Sequence, residues 1–192
     1  MNNYTTWKTA ITRLKTGNTN FVNDVLNKDL QDSSRRKEVV DGQNPFAVVL
    51  TCSDSRVVPE LIFDTGIGEL FVIRVAGNVA NPSSIASIEY AVAHLNVKLI
   101  VVLGHQNCGA VTAALAGGCN GKNIDYLLNF IHPAISISDS KKVDDVSHIH
   151  AKLTADKLIK ESGIIAKALE DNVLKIIPAY YNLESSQIDF FE

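Results

Sequence analysis

Three stretches of this chain are short and almost continuously apolar: residues 46–51 (FAVVLT), 70–75 (LFVIRV) and 98–103 (KLIVVL). They are rich in β-branched residues, the pattern of strands buried on both faces. Between the second and third, residues 83–95 follow Asn81-Pro82-Ser83, a helix-starting signal, and predict a helix. Strand, helix and strand at this spacing make a parallel crossover unit. Residues 109–116 predict another helix, stopped by Gly117-Gly118. Further helices are expected over 123–131 and through the long amphipathic region 144–171. Residues 173–183 predict a late strand, with Pro178 pointing to an edge or a bulge, and 188–191 a last short one.

The amino-terminal 30 residues predict two short helices. Trp7, Ile11 and Leu14 recur at the spacing of one helix face, and Gly17-Asn18 interrupts it. A Trp on a terminal arm suits either a partner subunit or the chain's own core. A polar stretch, 28–43, leads into the first strand. The expected class is α/β: a mostly parallel central sheet flanked by helices, with an N-terminal helical arm.

At 192 residues, a single domain over 1–192 is expected, with 1–30 as its arm. The net charge of −3 removes the basic field that nucleic-acid binding needs. No apolar run reaches the roughly 18 residues that span a bilayer. The opening, MNNYTTWKTA, lacks a charged-then-apolar export signal, so a cytoplasmic location is expected. Three cysteines in such a chain do not suggest a disulfide framework.

Two segments carry chemistry: Cys52-Ser53-Asp54-Ser55-Arg56 and His105-Gln106-Asn107-Cys108-Gly109. Each directly follows an apolar strand, and in open parallel sheets ligands bind beyond the carboxyl ends of strands. A lone Cys after a strand is usually a small core residue, and a lone His is usually just hydrogen-bonded. Two thiolates and an imidazole at one rim are instead a good donor set for zinc. The start of the 109–116 helix would also stabilise a Cys108 thiolate. Cys119, in Gly-Gly-Cys-Asn-Gly, has no ligand-type neighbour and reads as incidental. Asp54 has two possible partners, the metal and Arg56. If Arg56 holds it, the fourth metal position is left to water, as a hydrating or hydrolytic site requires.

With these residues in view, the chain resembles the β-class carbonic anhydrases: Cys-Ser-Asp-Ser-Arg, then Gly-His-x-x-Cys-Gly some fifty residues on. The resemblance is specific from about 43 to 116, and looser to the end. It implies zinc bound by Cys52, His105 and Cys108, with Asp54 ligating only in a closed state and otherwise paired with Arg56. It implies reversible hydration of CO2 to bicarbonate, and a homodimer or homotetramer whose sites lie at subunit interfaces and whose N-terminal arm wraps the neighbour. Gln43, Phe71 and Tyr90 match one of two known pocket types, the open one. Val49 stands where the other type has tryptophan. Ala76 and Gly109 fall at the pocket wall, where this chain reads Arg74-Val75-Ala76-Gly77-Asn78 in place of the commoner Arg-Asn-x-Ala-Asn. Competing readings keep the site but change its use: CS2 or COS hydrolysis, a purely structural zinc in an interaction module, or a Cys52–His105 nucleophile pair.

Overall fold

The computed structural model describes residues 6–191. The first five positions of the expected arm lie outside the described residues. One five-stranded sheet has the order β2-β1-β3-β4-β5. Its strands are β1 (Ala47–Thr51), β2 (Leu70–Arg74), β3 (Leu99–His105), β4 (Lys175–Tyr181) and β5 (Ile188–Phe190). All pairings are parallel except β4 with β5. Every residue of β1 and β3 is buried, which is why both read as unbroken apolar runs.

Alternate side chains feed two cores, as strand geometry requires. Val49, Val101, Leu103 and Ile177 pack with Ala10, Ile11 and Leu14 of α1 (Trp7–Val22) on one face. Val48, Leu50, Ile100 and Val102 face the other way. They meet α4 (Pro82–His94), α8 (Val143–Glu161) and α9 (Gly163–Glu170). A third cluster caps the carboxyl end of the sheet: Cys52, Val79, Cys108, Val111, Leu128, Ile131 and Val146. The remaining helices are α2 (Ser33–Glu38), α3 (Pro59–Ile62), α5 (Gly109–Ala116), α6 (Lys122–Leu128) and α7 (His132–Ile137). Among the described residues, no helix is long and apolar enough to cross a membrane.

From β1 the chain turns to β2 on one side, then crosses over to β3 on the other. The order therefore reverses between β1 and β3, and a crevice opens at their carboxyl ends, where ligands bind in open α/β sheets.

Three expectations are corrected. Gly17-Asn18 does not end a helix, because α1 runs unbroken through both. A Cβ at Gly17 would sit 1.7 Å from the carbonyl oxygen of Phe63, so glycine lets the helix lie against that backbone. Asn18 donates to Ile62 and Ser186 and accepts from Ile188, which makes it a packing device. The region 144–171 is two helices, divided at Ser162, which caps α9 through the Ile165 amide. Pro178 lies inside β4, which is not the edge strand. Its carbonyl accepts from Phe191, one residue past β5, so its missing N–H falls on the side where pairing has already ended.

Candidate metal centre

Cys52 follows the last residue of β1, and His105 is the last residue of β3. The two strands are neighbours in register, Thr51 beside Leu103, so both segments arrive at one rim. Cys108 caps α5, and Asn107 before it takes a left-handed conformation with φ 53°, which turns the chain back toward Cys52. The donor atoms of Cys52, His105 and Cys108 all lie within 4.8 Å of one another. All three residues are buried.

The residues fit a metal ion. His105 Nδ1 donates to the Gln106 carbonyl at 2.9 Å, while its Nε2 is buried with no partner. An orphaned buried nitrogen is costly unless it has a ligand to meet. The neighbouring Cys108 sulfur is the main influence holding the Cys52 thiol below the ordinary cysteine range, with burial opposing the change and His105, Gly77 and Asp54 assisting. Cys108 is pushed far up by the same contact and by burial, against the pull of the Val111 and Ala110 amides. Both sulfurs would bind a divalent cation as thiolates, so metal binding would release their protons.

Asp54 is committed elsewhere. Arg56 Nε donates to Oδ1 at 2.9 Å and a terminal guanidinium nitrogen to Oδ2 at 2.8 Å, while the Arg56 amide also reaches Oδ1. This fork holds the Asp54 carboxyl well below the usual carboxylate range. Of the two partners open to Asp54, the structure shows the guanidinium.

Several supports left no mark in the motifs. Arg74, at the end of β2, donates to the carbonyls of Cys52 and Asp54 and fixes the turn between them. Its place at the head of the Arg74-Val75-Ala76-Gly77-Asn78 segment was the available signal. Asp144 accepts from the Asn107 amide at 2.9 Å, bracing the loop between His105 and Cys108. Gly77 donates its amide to the Cys52 sulfur at 3.2 Å. Nothing local in the sequence announces Asp144, and the segment that holds Gly77 gave no sign of its bond to Cys52.

The expected pocket residues separate into two groups. Ala76 and Gly109 adjoin the site: Ala76 begins the turn that carries Gly77, and Gly109 follows Cys108. A Cβ at Gly109 would meet nothing within 4 Å, so there is open space there. Gln43, Phe71 and Tyr90 are not brought to this chain's own cysteines. Gln43 precedes β1, whose five residues alone separate it from Cys52 by about 16 Å. Phe71 pairs with Val48, near the amino end of β1. Tyr90 lies in the last part of α4, half exposed and 6.3 Å from Phe71, ring centre to ring centre.

A family model described as carbonic anhydrase matches residues 47–188. Carbonic anhydrase 2 of Mycobacterium tuberculosis is 38% identical over 181 residues, covering 91% of this chain and 87% of that protein. The carbonic anhydrase of Mycolicibacterium smegmatis is 36% identical over 183 residues, covering 92% and 89%. Among solved structures, a tetrameric β-carbonic anhydrase from Sordaria macrospora superposes with a TM-score of 0.74 at 28% identity, over 81% of this chain and 85% of that one. The Coccomyxa β-carbonic anhydrase, solved with acetazolamide, gives 0.75 at 25%, over 83% and 78%.

Proposed function

Since the chain belongs to the β-class carbonic anhydrase family, we propose that it hydrates CO2 reversibly to bicarbonate at a zinc ion held by Cys52, His105 and Cys108, with Asp54 and Arg56 as its catalytic pair. The observation that carries this reading is the forked Arg56–Asp54 contact. It takes the Asp54 carboxylate away from the three-donor set, so a coordination position is left for solvent. A closed structural zinc would need a fourth donor there.

When bound, zinc supplies Lewis acidity, which makes a water acidic enough to act as a nucleophile near neutral pH. Asp54 accepts a hydrogen bond from the attacking water or hydroxide and turns its lone pair toward the carbon of CO2. Arg56 keeps Asp54 ionised and correctly turned. Ala76 and Gly109 line the slot beside the cysteines, and the space beside Gly109 suits a small linear substrate. Arg74 holds the 52–54 turn still while this happens. The product proton leaves to buffer.

A second copy completes the pocket in this reading. Gln43, Phe71 and Tyr90 gather toward the far end of β1 and β2, and Tyr90 is half exposed there. From that position they serve a partner's cysteines, with Gln43 donating to a substrate oxygen and the two aromatic rings excluding water. The assembly is a homodimer or a homotetramer, and the outer face of α1, with Lys8, Thr12 and Thr19 exposed, is what the arm offers a neighbour.

Zinc content and CO2 hydration measured on one purified sample test the reading. About one zinc per chain is expected, with activity lost on chelation and restored by zinc. Stoichiometric zinc with no hydration at any pH would overturn it, as would sulfide release from COS without CO2 turnover.

A further inference from the structure

His150 sits on α8, more than forty residues beyond Cys108, and is 2% exposed. Its Nε2 lies 2.8 Å from the carbonyl oxygen of Gly77, so this nitrogen carries the proton and donates. The Gly77 amide in turn donates to the Cys52 sulfur at 3.2 Å. Gly77 has φ 68°, and a Cβ there would sit 3.0 Å from Ile131 and 3.1 Å from Ala110. Its turn is therefore held in an unusual conformation, with few side-chain anchors of its own.

A simple packing role does not account for the residue. The other ring nitrogen, Nδ1, is buried without a partner, a cost that an apolar side chain would avoid. The imidazole is neutral there, since burial lowers its pKa to about 4. What an apolar residue cannot supply is the bond to Gly77.

We propose that His150 is a positioning residue for the metal centre: by holding the Gly77 carbonyl, it keeps the Gly77 amide aimed at the Cys52 sulfur and so sets how tightly the metal is held. The inference rests on the reading of Cys52, His105 and Cys108 as metal ligands. Groups one shell out from a metal often govern its affinity in this way. Here the outer bond reaches the ligand through the backbone of a third segment. Together with Asp144, which holds the Asn107 amide, it makes α8 a brace for both halves of the site.

The test is zinc affinity of the full chain by competition with a chromophoric chelator, for the parent and three variants. His150→Gln keeps a donor at the Nε2 position, and zinc binding within about threefold of the parent is expected. His150→Asn and His150→Leu lose that donor, and about 10- to 100-fold weaker binding is expected. Their cobalt forms should show a shifted thiolate-to-metal charge-transfer band, which a change in packing alone would not move. Parent-like affinity and an unshifted band in the Asn and Leu variants would overturn the proposal. So would a Gln variant as weak as the other two. If the Asn and Leu variants do not fold, the cadmium-loaded parent decides. Scalar couplings from the metal nucleus to the Gly77 amide and from His150 Nε2 to the Gly77 carbonyl carbon together support the proposal, and the absence of either overturns it. A parent that binds no metal would instead defeat the reading of the ligand set.

Discussion

At the scale of single residues, the site divides by what each side chain touches. Cys52→Ser and Cys108→Ser each replace a soft thiolate by a weak neutral donor, and metal analysis after dialysis should show the zinc gone. Asp54→Ala removes no ligand, because Arg56 already occupies that carboxylate. Its zinc content should match the parent, while kcat/KM for CO2 hydration falls by roughly 100-fold or more, the scale of losing a group that orients the attacking atom. Near-parent activity would remove Asp54 from its assigned role. His150 links to pH. Unfolding returns its pKa from about 4 to the ordinary 6.5. Between those values the unfolded chain takes up a proton that the folded chain refuses, so stability falls as pH drops through this window. The loss reaches roughly 3 kcal/mol at the lower end. Urea unfolding at pH 7 and pH 4.5 should show a steeper decline for the parent than for His150→Gln. The ligands and the Asp54–Arg56 pair were legible in the sequence because their chemistry sits in two short motifs. Arg74, Asp144, Gly77 and His150 were not, since each reaches the site from a segment with another local pattern.

At the scale of elements, the strands were the easiest to read. β1 and β3 are buried throughout and show no alternation, so their short length and β-branched content marked them as strands. The helices were harder at their ends. Gly17-Asn18 carries the local chemistry of a stop, yet α1 continues, because the glycine accommodates the Phe63 backbone and the asparagine bonds to three distant backbone groups. Gly17→Ala tests this. A better helix former should here lower stability, by about 1–3 kcal/mol of overpacking, seen as a lower urea midpoint with zinc content unchanged. A gain in stability would mean that helix propensity outweighs the contact. Pro178 shows the reverse case: an edge signal was present, and only the position of the end of β5 explains why a strand inside the sheet tolerates it.

At the scale of the whole molecule, the strand order places the reversal point between β1 and β3, and Cys52 and His105 fall on either side of it. Gln43, Phe71 and Tyr90 lie toward the opposite end, which leads to a complementation prediction. A Gln43→Leu chain and an Asp54→Ala chain should each be poor catalysts alone. Mixed and allowed to exchange subunits, they form hybrids in which one site has an intact Asp54 from one chain and an intact Gln43 from the other. Random pairing would restore about a quarter of parental activity. No recovery, with exchange verified by native mass spectrometry, would place Gln43 outside the partner's site. The donor set also sets the pH response. With zinc held there, two thiolates and a neutral imidazole would cancel its charge, so a water beside it would be acidified less than at a three-histidine site. Turnover should rise between about pH 7 and 9; a flat profile would contradict this.

The amino-acid sequence alone determined the class of fold and the candidate donors Cys52, His105 and Cys108, and placed Asp54 between two possible partners, because strand periodicity and motif chemistry are properties of adjacent residues. Tertiary structure decided the rest: that Asp54 goes to Arg56, that α1 does not stop at glycine, that α8 braces the cysteines, and that Gln43 lies a strand's length from its own Cys52. Each of these depends on which atoms meet across the sheet. A chain states such contacts only when it has folded, because the partners are tens of residues apart and share no local pattern.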